Sequence, residues 1–302
     1  MAAATWGRWS APPNCARQPS KPQDNERNDQ AMADYDLPKG ELMRGKRGVV
    51  MGIANQNSIA WGIASQLAAQ GAELCFTYIP AMEKRVRDLA DTIGVKHLVS
   101  AEVTDDASMD AAFAEIEKAF GTIDFLVHAI AFSDKNELKG SFVDNTTREN
   151  FLRSMDISAF SFVDCSRRAA KLMPNGGSLV TLTYLGSERT IPNYNVMGVC
   201  KAALEAATRY IARDLGPQKI RVNAISAGAI RTLSLAGISG GRAMIAQGRA
   251  WSALKEDTAV EGVAGCALWL LSDLGRSTTG EVVHVDAGFH MIGLPEEANE
   301  AE

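Results

Sequence analysis

Closely spaced cysteines and histidine clusters are both missing from the sequence. The five cysteines are spread from Cys15 to Cys266 without a C-x-x-C pair, and the four histidines lack metal-ligand spacing. A disulfide framework or a zinc site is therefore not expected, and a reducing compartment fits the cysteines better. We predict a cytoplasmic protein that holds no metal.

Long apolar runs and an excess of positive charge are missing as well. No apolar stretch approaches the roughly 20 residues of a membrane-spanning helix. The net charge of −5 argues against non-specific binding to DNA or RNA, which needs a basic face. We expect neither a membrane nor a nucleic acid as partner. The 302 residues are 46% hydrophobic and 22% charged, which suffices for a sizeable core.

The two ends of the chain differ from its centre. Residues 1–40 are rich in Pro, Asn, Gln and Arg and lack periodicity, which predicts a disordered extension. They contain no apolar segment of a secretory signal, and two interpretations stay open: a transit peptide, or an extension upstream of a true start at Met32. Residues 294–302 form an acidic tail. We assign residues 41–293 to a single folded domain.

Strand-like and helix-like segments alternate from Lys46 onward. Short apolar runs such as "RGVVMGI" and "IDFLVHAI" alternate with helical patterns such as "SIAWGIASQLAAQG", and a long helical stretch covers about residues 148–173. This alternation predicts right-handed βαβ units. We count about seven strands, without a linker or repeat inside residues 45–290. The prediction is an α/β fold: one Rossmann-like, doubly wound domain whose parallel sheet carries helices on both faces.

The turn after the first strand is where such a sheet binds a nucleotide. The strand ends at Gly52, and a helix that begins near Ser58 offers backbone N–H groups to a pyrophosphate. The usual G-x-G-x-x-G fingerprint is absent, so a plain turn with a Ser N-cap is an equal alternative. The second strand ends in "FTYIP", without an acid for the ribose or an immediate Arg or Lys for a 2′-phosphate. We predict NADH in preference to NADPH.

Two tyrosines and a lysine follow in "YLGSERTIPNYNVMGVCK". Tyr184 ends a buried strand at the carboxyl edge, where ligands bind. A helix from Asn193 to Leu215, capped by Asn193, would place Tyr194 and Lys201 on one face. The alternative is a core tyrosine and a surface lysine. The catalytic interpretation is that a phenol stabilises the enolate oxygen formed when hydride attacks a conjugated carbonyl, while the ammonium holds the ribose.

Four segments carry a resemblance to a known family: "YLGSERTIPNYNVMGVCKAALEA", "RVNAISAGAIRTLSLAGI", "SDLGRSTTGEVVHVDAGF" and "GIANQNSIAWGIA". Over about residues 41–292 the sequence resembles the NADH-dependent enoyl-acyl-carrier-protein reductases of bacterial type-II fatty-acid synthesis, a divergent branch of the short-chain dehydrogenase/reductase superfamily. The Tyr-x6-Lys spacing and the altered glycine turn are the specific features. The resemblance implies reduction of the trans-2 double bond of enoyl thioesters on acyl carrier protein, the last step of the elongation cycle, by a homotetramer.

The resemblance also implies a role for each matching residue. Tyr194 would donate a hydrogen bond to the thioester carbonyl and Lys201 would bind the nicotinamide ribose. Tyr184 would line the acyl site, and Tyr194 and Met197 would contact the substrate. The implied cofactor contacts are Gly52, Ser58, Ile59, Glu102, Val103, Ala131, Lys201, Ile230 and Thr232. Among these, Glu102 and Ala131 stand where the family more often has Asp and Gly.

A glycine-rich stretch, Leu233–Gly248, would form a mobile lid over the substrate, and we expect it to be irregular. A plain surface loop is the alternative. Arg242, Arg249 and Lys255 are candidates for meeting an acidic carrier protein, or else form a solvated face.

Two other functions stay open at this point. A carbonyl reductase acting on a ketone, such as a 3-ketoacyl thioester, would share the fold. The Tyr–Lys spacing argues against it, as does the lack of a clear catalytic serine near Tyr184, where Thr183 is the closest hydroxyl. A non-catalytic nucleotide-binding regulator would share the fold too, but the intact Tyr194 and Lys201 argue against it.

Overall fold

The computed structural model describes residues 37–294. The predicted disordered extension and acidic tail therefore lie outside the described residues, apart from residues 37–40 and 294 at their borders. Just before residue 41 the chain is already attached to the first helix, because the carbonyl oxygen of Pro38 accepts hydrogen bonds from Gln66 and Gln70 at 3.0 and 2.7 Å.

Seven parallel strands form one sheet in the order β3-β2-β1-β4-β5-β6-β7, which confirms the predicted fold class. The strands are Arg47–Met51 (β1), Glu73–Tyr78 (β2), His97–Ser100 (β3), Phe125–His128 (β4), Gly177–Thr183 (β5), Ile220–Ala227 (β6) and Val282–Val285 (β7). The chain builds outward from β1 to β3, then returns to the centre and builds the other way from β4. This reversal between β1 and β4 opens a crevice at the carboxyl ends of the two strands.

Helices cover both faces of this sheet. They are Ile59–Ala69 (α1), Glu83–Thr92 (α2), Asp106–Phe120 (α3), Phe142–Asn145 (α4), Arg148–Met155 (α5), Ser161–Lys171 (α6), Val196–Leu215 (α7), Leu233–Ala236 (α8), Gly241–Trp251 (α9) and Val260–Leu271 (α10). Alternate residues of β1 face opposite cores, as a pleated strand requires. Val50 packs with α1, α2 and α10, whereas Val49 and Met51 pack with α3, α6 and α7.

The predicted long helix over residues 148–173 contains one wide turn. Helices α5 and α6 are joined by a π-turn at Asp156–Phe160. Next to this turn, the buried His128 at the end of β4 contacts Ser161 at 2.8 Å. Because the Ser161 hydroxyl donates to the carbonyl of Ile157, Nε2 of His128 must be the donor to Ser161. Burial lowers the pKa of His128 to about 3, so this ring is neutral.

The prediction of an irregular segment at residues 233–248 was wrong, because α8 and most of α9 lie there. Three of its four glycines stand at helix ends, and Gly248 lies inside α9. Gly237 is the C-cap of α8, and Gly240 precedes α9 with φ of 85°. Most other residues of α8 and α9, such as Leu, Ala, Met, Gln and Arg, are good helix formers.

Gly52 lies at the switch point, directly after β1. Its φ is 94°, and a Cβ atom there would lie 2.0 Å from the carbonyl oxygen of Ala129. Only glycine permits this approach of the two strand ends.

We predict that Gly52→Ala lowers the free energy of unfolding by about 2–5 kcal/mol, from a left-handed backbone cost of about 1–2 and an overpacking cost of about 1–3 kcal/mol. Gly94→Ala is the matched control, since Gly94 has φ of 74° but a Cβ atom there would meet nothing within 4 Å. Gly94→Ala should therefore lose only the backbone contribution of about 1–2 kcal/mol. Urea unfolding of both variants measures the difference, and equal losses would contradict the proposed close contact.

Candidate active site

The residues predicted to hold a cofactor lie at one edge of the sheet, after the carboxyl ends of four strands. Gly52 follows β1, Glu102 and Val103 follow β3, Ala131 follows β4, and Ile230 and Thr232 follow β6. Ser58 and Ile59 open α1 at the same edge. Backbone N–H groups at a helix start suit a phosphate, and Gly52 keeps the neighbouring backbone free of a side chain. These residues fit a dinucleotide across the switch point.

Three of these side chains also make local hydrogen bonds. The Ser58 hydroxyl accepts from the N–H of Trp61 at 3.3 Å and caps α1. The Thr232 hydroxyl caps α8 in the same way, at 3.2 Å from the N–H of Leu235. Glu102 accepts a hydrogen bond from the Thr104 hydroxyl at 3.0 Å.

The two tyrosines come together at this edge. The rings of Tyr184 and Tyr194 meet edge to face, with 5.0 Å between their centroids. Tyr194 is buried and Tyr184 is half-buried. Burial raises the pKa of both phenols, that of Tyr184 to about 12, so each keeps its proton and is a hydrogen-bond donor at neutral pH.

Tyr194 lies in a turn before α7 and not within it. The helix begins at Val196, so the prediction that Asn193 caps it was wrong, as was the helical face shared by Tyr194 and Lys201. The reason is the backbone on either side of Tyr194. Asn193 and Asn195 have φ values of 61° and 38°, in the left-handed region that asparagine tolerates better than most residues.

Long-range contacts of the two asparagine amides hold this turn. The amide of Asn193 donates to the carbonyl of Ser239 at 3.0 Å and accepts from the N–H of Gly140 at 3.3 Å. The amide of Asn195 donates to the carbonyl of Glu137 at 3.1 Å. Contacts of this kind compensate the strain of a left-handed backbone at a site.

Lys201 is buried, so the alternative of a surface lysine was wrong. Its ammonium donates to the carbonyl oxygen of Leu182, at the end of β5, over 2.7 Å. Burial lowers the pKa of Lys201 to about 8, against an opposite effect of Cys200 and Glu205. The lysine is therefore mostly charged at pH 7, and it keeps two further donors for the hydroxyls of a ribose.

Sequence reasoning missed Glu205. This buried residue lies one turn after Lys201 on α7, and it accepts a hydrogen bond from the Thr183 hydroxyl at 2.6 Å. Thr183, the hydroxyl closest to Tyr184 in sequence, is thus already engaged. The available signal was a carboxylate four residues after Lys201 in a helix, which can face the same side.

A cavity of about 430 Å³ adjoins Tyr184 and is mainly apolar. Its walls include Ile191 on one side, Met244 and Trp251 of α9 on another, and Phe289 near the end of the described chain. The predicted substrate contact Met197 does not line this cavity. It lies with Tyr194 in a small core behind Tyr184.

The cavity also contains a carboxylate that the sequence reasoning missed. Asp286 lines the wall but is 6% exposed, and its oxygens accept from the N–H groups of Gly288 and His290 at 3.0 and 2.9 Å. The ring of His290 lies 3.0 Å from the same carboxylate. These bonds satisfy the charge of Asp286 within the cavity wall.

Of the three cations predicted to meet a carrier protein, the structure pairs one internally. Arg249, at the end of α9, forms a two-pronged ion pair with Asp257. Lys255 donates to the carbonyl of Ala250 at 3.1 Å. Arg242 is exposed near the start of α9.

Within residues 37–294 no group of three or more His, Cys, Asp or Glu side chains is placed to hold a metal ion. In the same part of the chain no helix combines the length and the apolar character needed to cross a membrane. The cysteines described there, Cys75, Cys165, Cys200 and Cys266, are all free thiols.

The sheet order, the glycine at the switch point and the buried tyrosine and lysine define an oxidoreductase-like nucleotide-binding domain. A family model described as "Enoyl-(Acyl carrier protein) reductase" matches residues 52–290. The chain belongs to this enoyl-acyl-carrier-protein reductase family, as the resemblance implied.

Named relatives agree. The chain is 56% identical over 255 residues to "Enoyl-[acyl-carrier-protein] reductase [NADH] 2" of Rhizobium meliloti, covering 84% of this chain and 95% of the relative. A crystal structure of the Anaplasma phagocytophilum reductase in complex with NAD has a TM-score of 0.83 at 52% identity, covering 86% of this chain and all of that one. The Bacillus cereus reductase with NADP⁺ and an indole naphthyridinone has a TM-score of 0.82 at 49% identity, covering 84% and 100%.

Proposed function

We propose that this protein reduces the trans-2 double bond of an enoyl thioester on acyl carrier protein, with NADH as the reductant. The observation that carries the proposal is a buried, protonated Tyr194 in edge contact with Tyr184, which lines an apolar cavity beside the nucleotide crevice. An acyl chain fits such a cavity, and a phenol fits the oxygen of its carbonyl.

When bound, NADH supplies the hydride that adds to the β-carbon of the substrate. In the proposed mechanism Tyr194 donates a hydrogen bond to the carbonyl oxygen as negative charge builds there, and a proton from solvent then adds to the α-carbon to complete the reduction. The raised pKa of Tyr194 keeps its proton in place for this task. Lys201 holds the ribose hydroxyls with the two donors that Leu182 leaves free. The apolar walls exclude water and strengthen both interactions.

The cofactor is proposed to cross the switch point with its phosphates against the start of α1. Gly52, Ser58 and Ile59 line that end, Glu102 and Val103 flank the adenine, and the remaining contacts lie nearer the nicotinamide, at Ala131, Ile230 and Thr232. NADH is favoured over NADPH because β2 ends in Tyr78 followed by Ile79 and Pro80, which offer no cation to a 2′-phosphate.

A ketone reductase is the second candidate, but no observation favours it. The Thr183 hydroxyl at the end of β5, which would be the closest donor, is held by the buried Glu205 at 2.6 Å. A non-catalytic regulator would have no use for a buried phenol beside a cavity.

The experiment measures the oxidation of NADH with a crotonyl thioester and with a 3-ketoacyl thioester. The measurement with the crotonyl thioester is then repeated with NADPH in place of NADH. We expect turnover with the crotonyl thioester and NADH.

Tyr194→Phe should lower kcat by about 10²–10³ with little change in NADH affinity, because it removes one donor to the developing oxyanion. Tyr210→Phe is the matched control, since that ring is 64% exposed on α7. Turnover of only the ketone, or an active Tyr194→Phe, would refute the assignment.

The acidic carrier protein is proposed to dock beside α9, at Arg242 and Lys255. We predict that Arg242→Glu raises KM for an enoyl-acyl-carrier-protein about tenfold and leaves KM for the uncharged crotonyl-N-acetylcysteamine thioester nearly unchanged, because only the carrier brings negative charge to this surface. Lys118→Glu is the control. It lies at the end of α3, toward the opposite edge of the sheet from the site. Equal effects of both variants would contradict docking at α9.

A cytoplasmic homotetramer is the proposed form of the protein. Its support is a set of exposed apolar side chains along α5, the π-turn and α6: Leu152, Phe160 and Val163. The extra residue of the π-turn brings Leu152 and Phe160 about two turns apart, on one face.

We predict that light scattering of the protein, purified from a cytosolic extract, gives a particle mass of about four times the 32.4 kDa of the chain. Phe160→Asp should give smaller particles, and a monomeric parent would contradict the proposal.

A further inference from the structure

Two side chains of α7 are attached to two consecutive residues of β5. The Lys201 ammonium donates to the carbonyl of Leu182 at 2.7 Å, and Glu205 accepts from the hydroxyl of Thr183 at 2.6 Å. The next residue along the chain is Tyr184. A spacing of four residues puts the cation and the carboxylate side by side on the helix, and both are buried, at 6% and 7% exposure.

Glu205 also lies within electrostatic reach of Lys201. Burial lowers the pKa of Lys201, and the negative charge of Glu205 opposes that effect. The consequence is that the ammonium keeps its proton to a higher pH. A buried ammonium without an opposite charge loses its proton far more readily.

We propose that Glu205 is a positioning residue that keeps Lys201 charged at the cofactor. It acts through this ammonium and need not touch the substrate. The inference rests on the proposed function, in which Lys201 holds the ribose and Tyr194 faces the carbonyl.

Other titratable groups around Lys201 do not supply this charge. Cys200, its neighbour on α7, has a pKa raised to about 11 by burial and is a neutral thiol at pH 8. His128 on β4 is neutral, and its pKa is lowered by burial and then by the charge of Lys201. Tyr184, from the segment after β5, keeps its proton as well. Among the groups acting on Lys201, Glu205 is the carboxylate.

The test is the affinity for NADH, measured by fluorescence titration from pH 6 to pH 10. In the parent protein the affinity should fall as pH rises through about 8, because Lys201 loses its charge there. Glu205→Gln keeps the volume and the bond from Thr183 but removes the charge. It should move the midpoint down by about one pH unit, and so weaken binding at pH 8 about fivefold.

Two companions separate charge from structure. Thr183→Val removes the hydrogen bond but keeps the carboxylate, so its midpoint should stay near that of the parent. Glu205→Asp keeps the negative charge on a side chain one methylene shorter. Its pH midpoint for NADH binding should lie close to that of the parent, even if Glu205→Gln unfolds in part. An unmoved midpoint in Glu205→Gln, or equal shifts in Glu205→Gln and Thr183→Val, would overturn the proposal.

Lys201→Met distinguishes failure of this inference from failure of the proposed function. If it binds NADH like the parent, with the same pH dependence, then the proposed role of Lys201 is wrong. If it binds weakly and without the midpoint near pH 8, while Glu205→Gln matches the parent, then only the role of Glu205 is wrong.

Discussion

The attachment of α7 to the end of β5 is the constraint on which the candidate site depends. The carbonyl of Leu182 holds Lys201, and the chain then turns at once through Tyr184 toward the start of α7. This turn packs so closely that a Cβ atom on Gly186 would lie 2.4 Å from the ring of Tyr194. The contact between the end of β5 and α7 therefore places the lysine and brings the two tyrosines together, while the asparagine contacts hold the turn that carries Tyr194.

Burial at this contact gives the site its electrostatic character. His128 meets burial by staying neutral, with each ring nitrogen against a hydroxyl. A charged Lys201 needs a different solution, because its ammonium has only donors and carries a full charge into a region of low dielectric constant. A carbonyl and a nearby carboxylate are the physical solution found here. The same low dielectric that makes the charge costly also strengthens its attraction to a ligand.

The sheet could be predicted from the sequence because its signals are local. Apolar runs and helical periods alternate along the chain. Parallel strands then bring their carboxyl ends to one edge of the sheet, whatever the order of the strands. The turn around Tyr194 could not be predicted. Its left-handed asparagines are stabilised by Gly140 and Ser239, which lie 53 and 46 residues away from Asn193. Helical periodicity alone extends α7 back through such a turn, because the contacts that interrupt it are distant in sequence.

The same distant contacts connect the cavity wall to the candidate catalytic turn. Ser239 lies between α8 and α9, and its carbonyl accepts the amide of Asn193, directly before Tyr194. At its other end α9 is tied by Arg249 to Asp257. The Asn193 bond thus joins a residue of the cavity wall to the strained backbone beside the phenol. One hydrogen bond therefore contributes both to the wall of the cavity and to the turn that carries Tyr194.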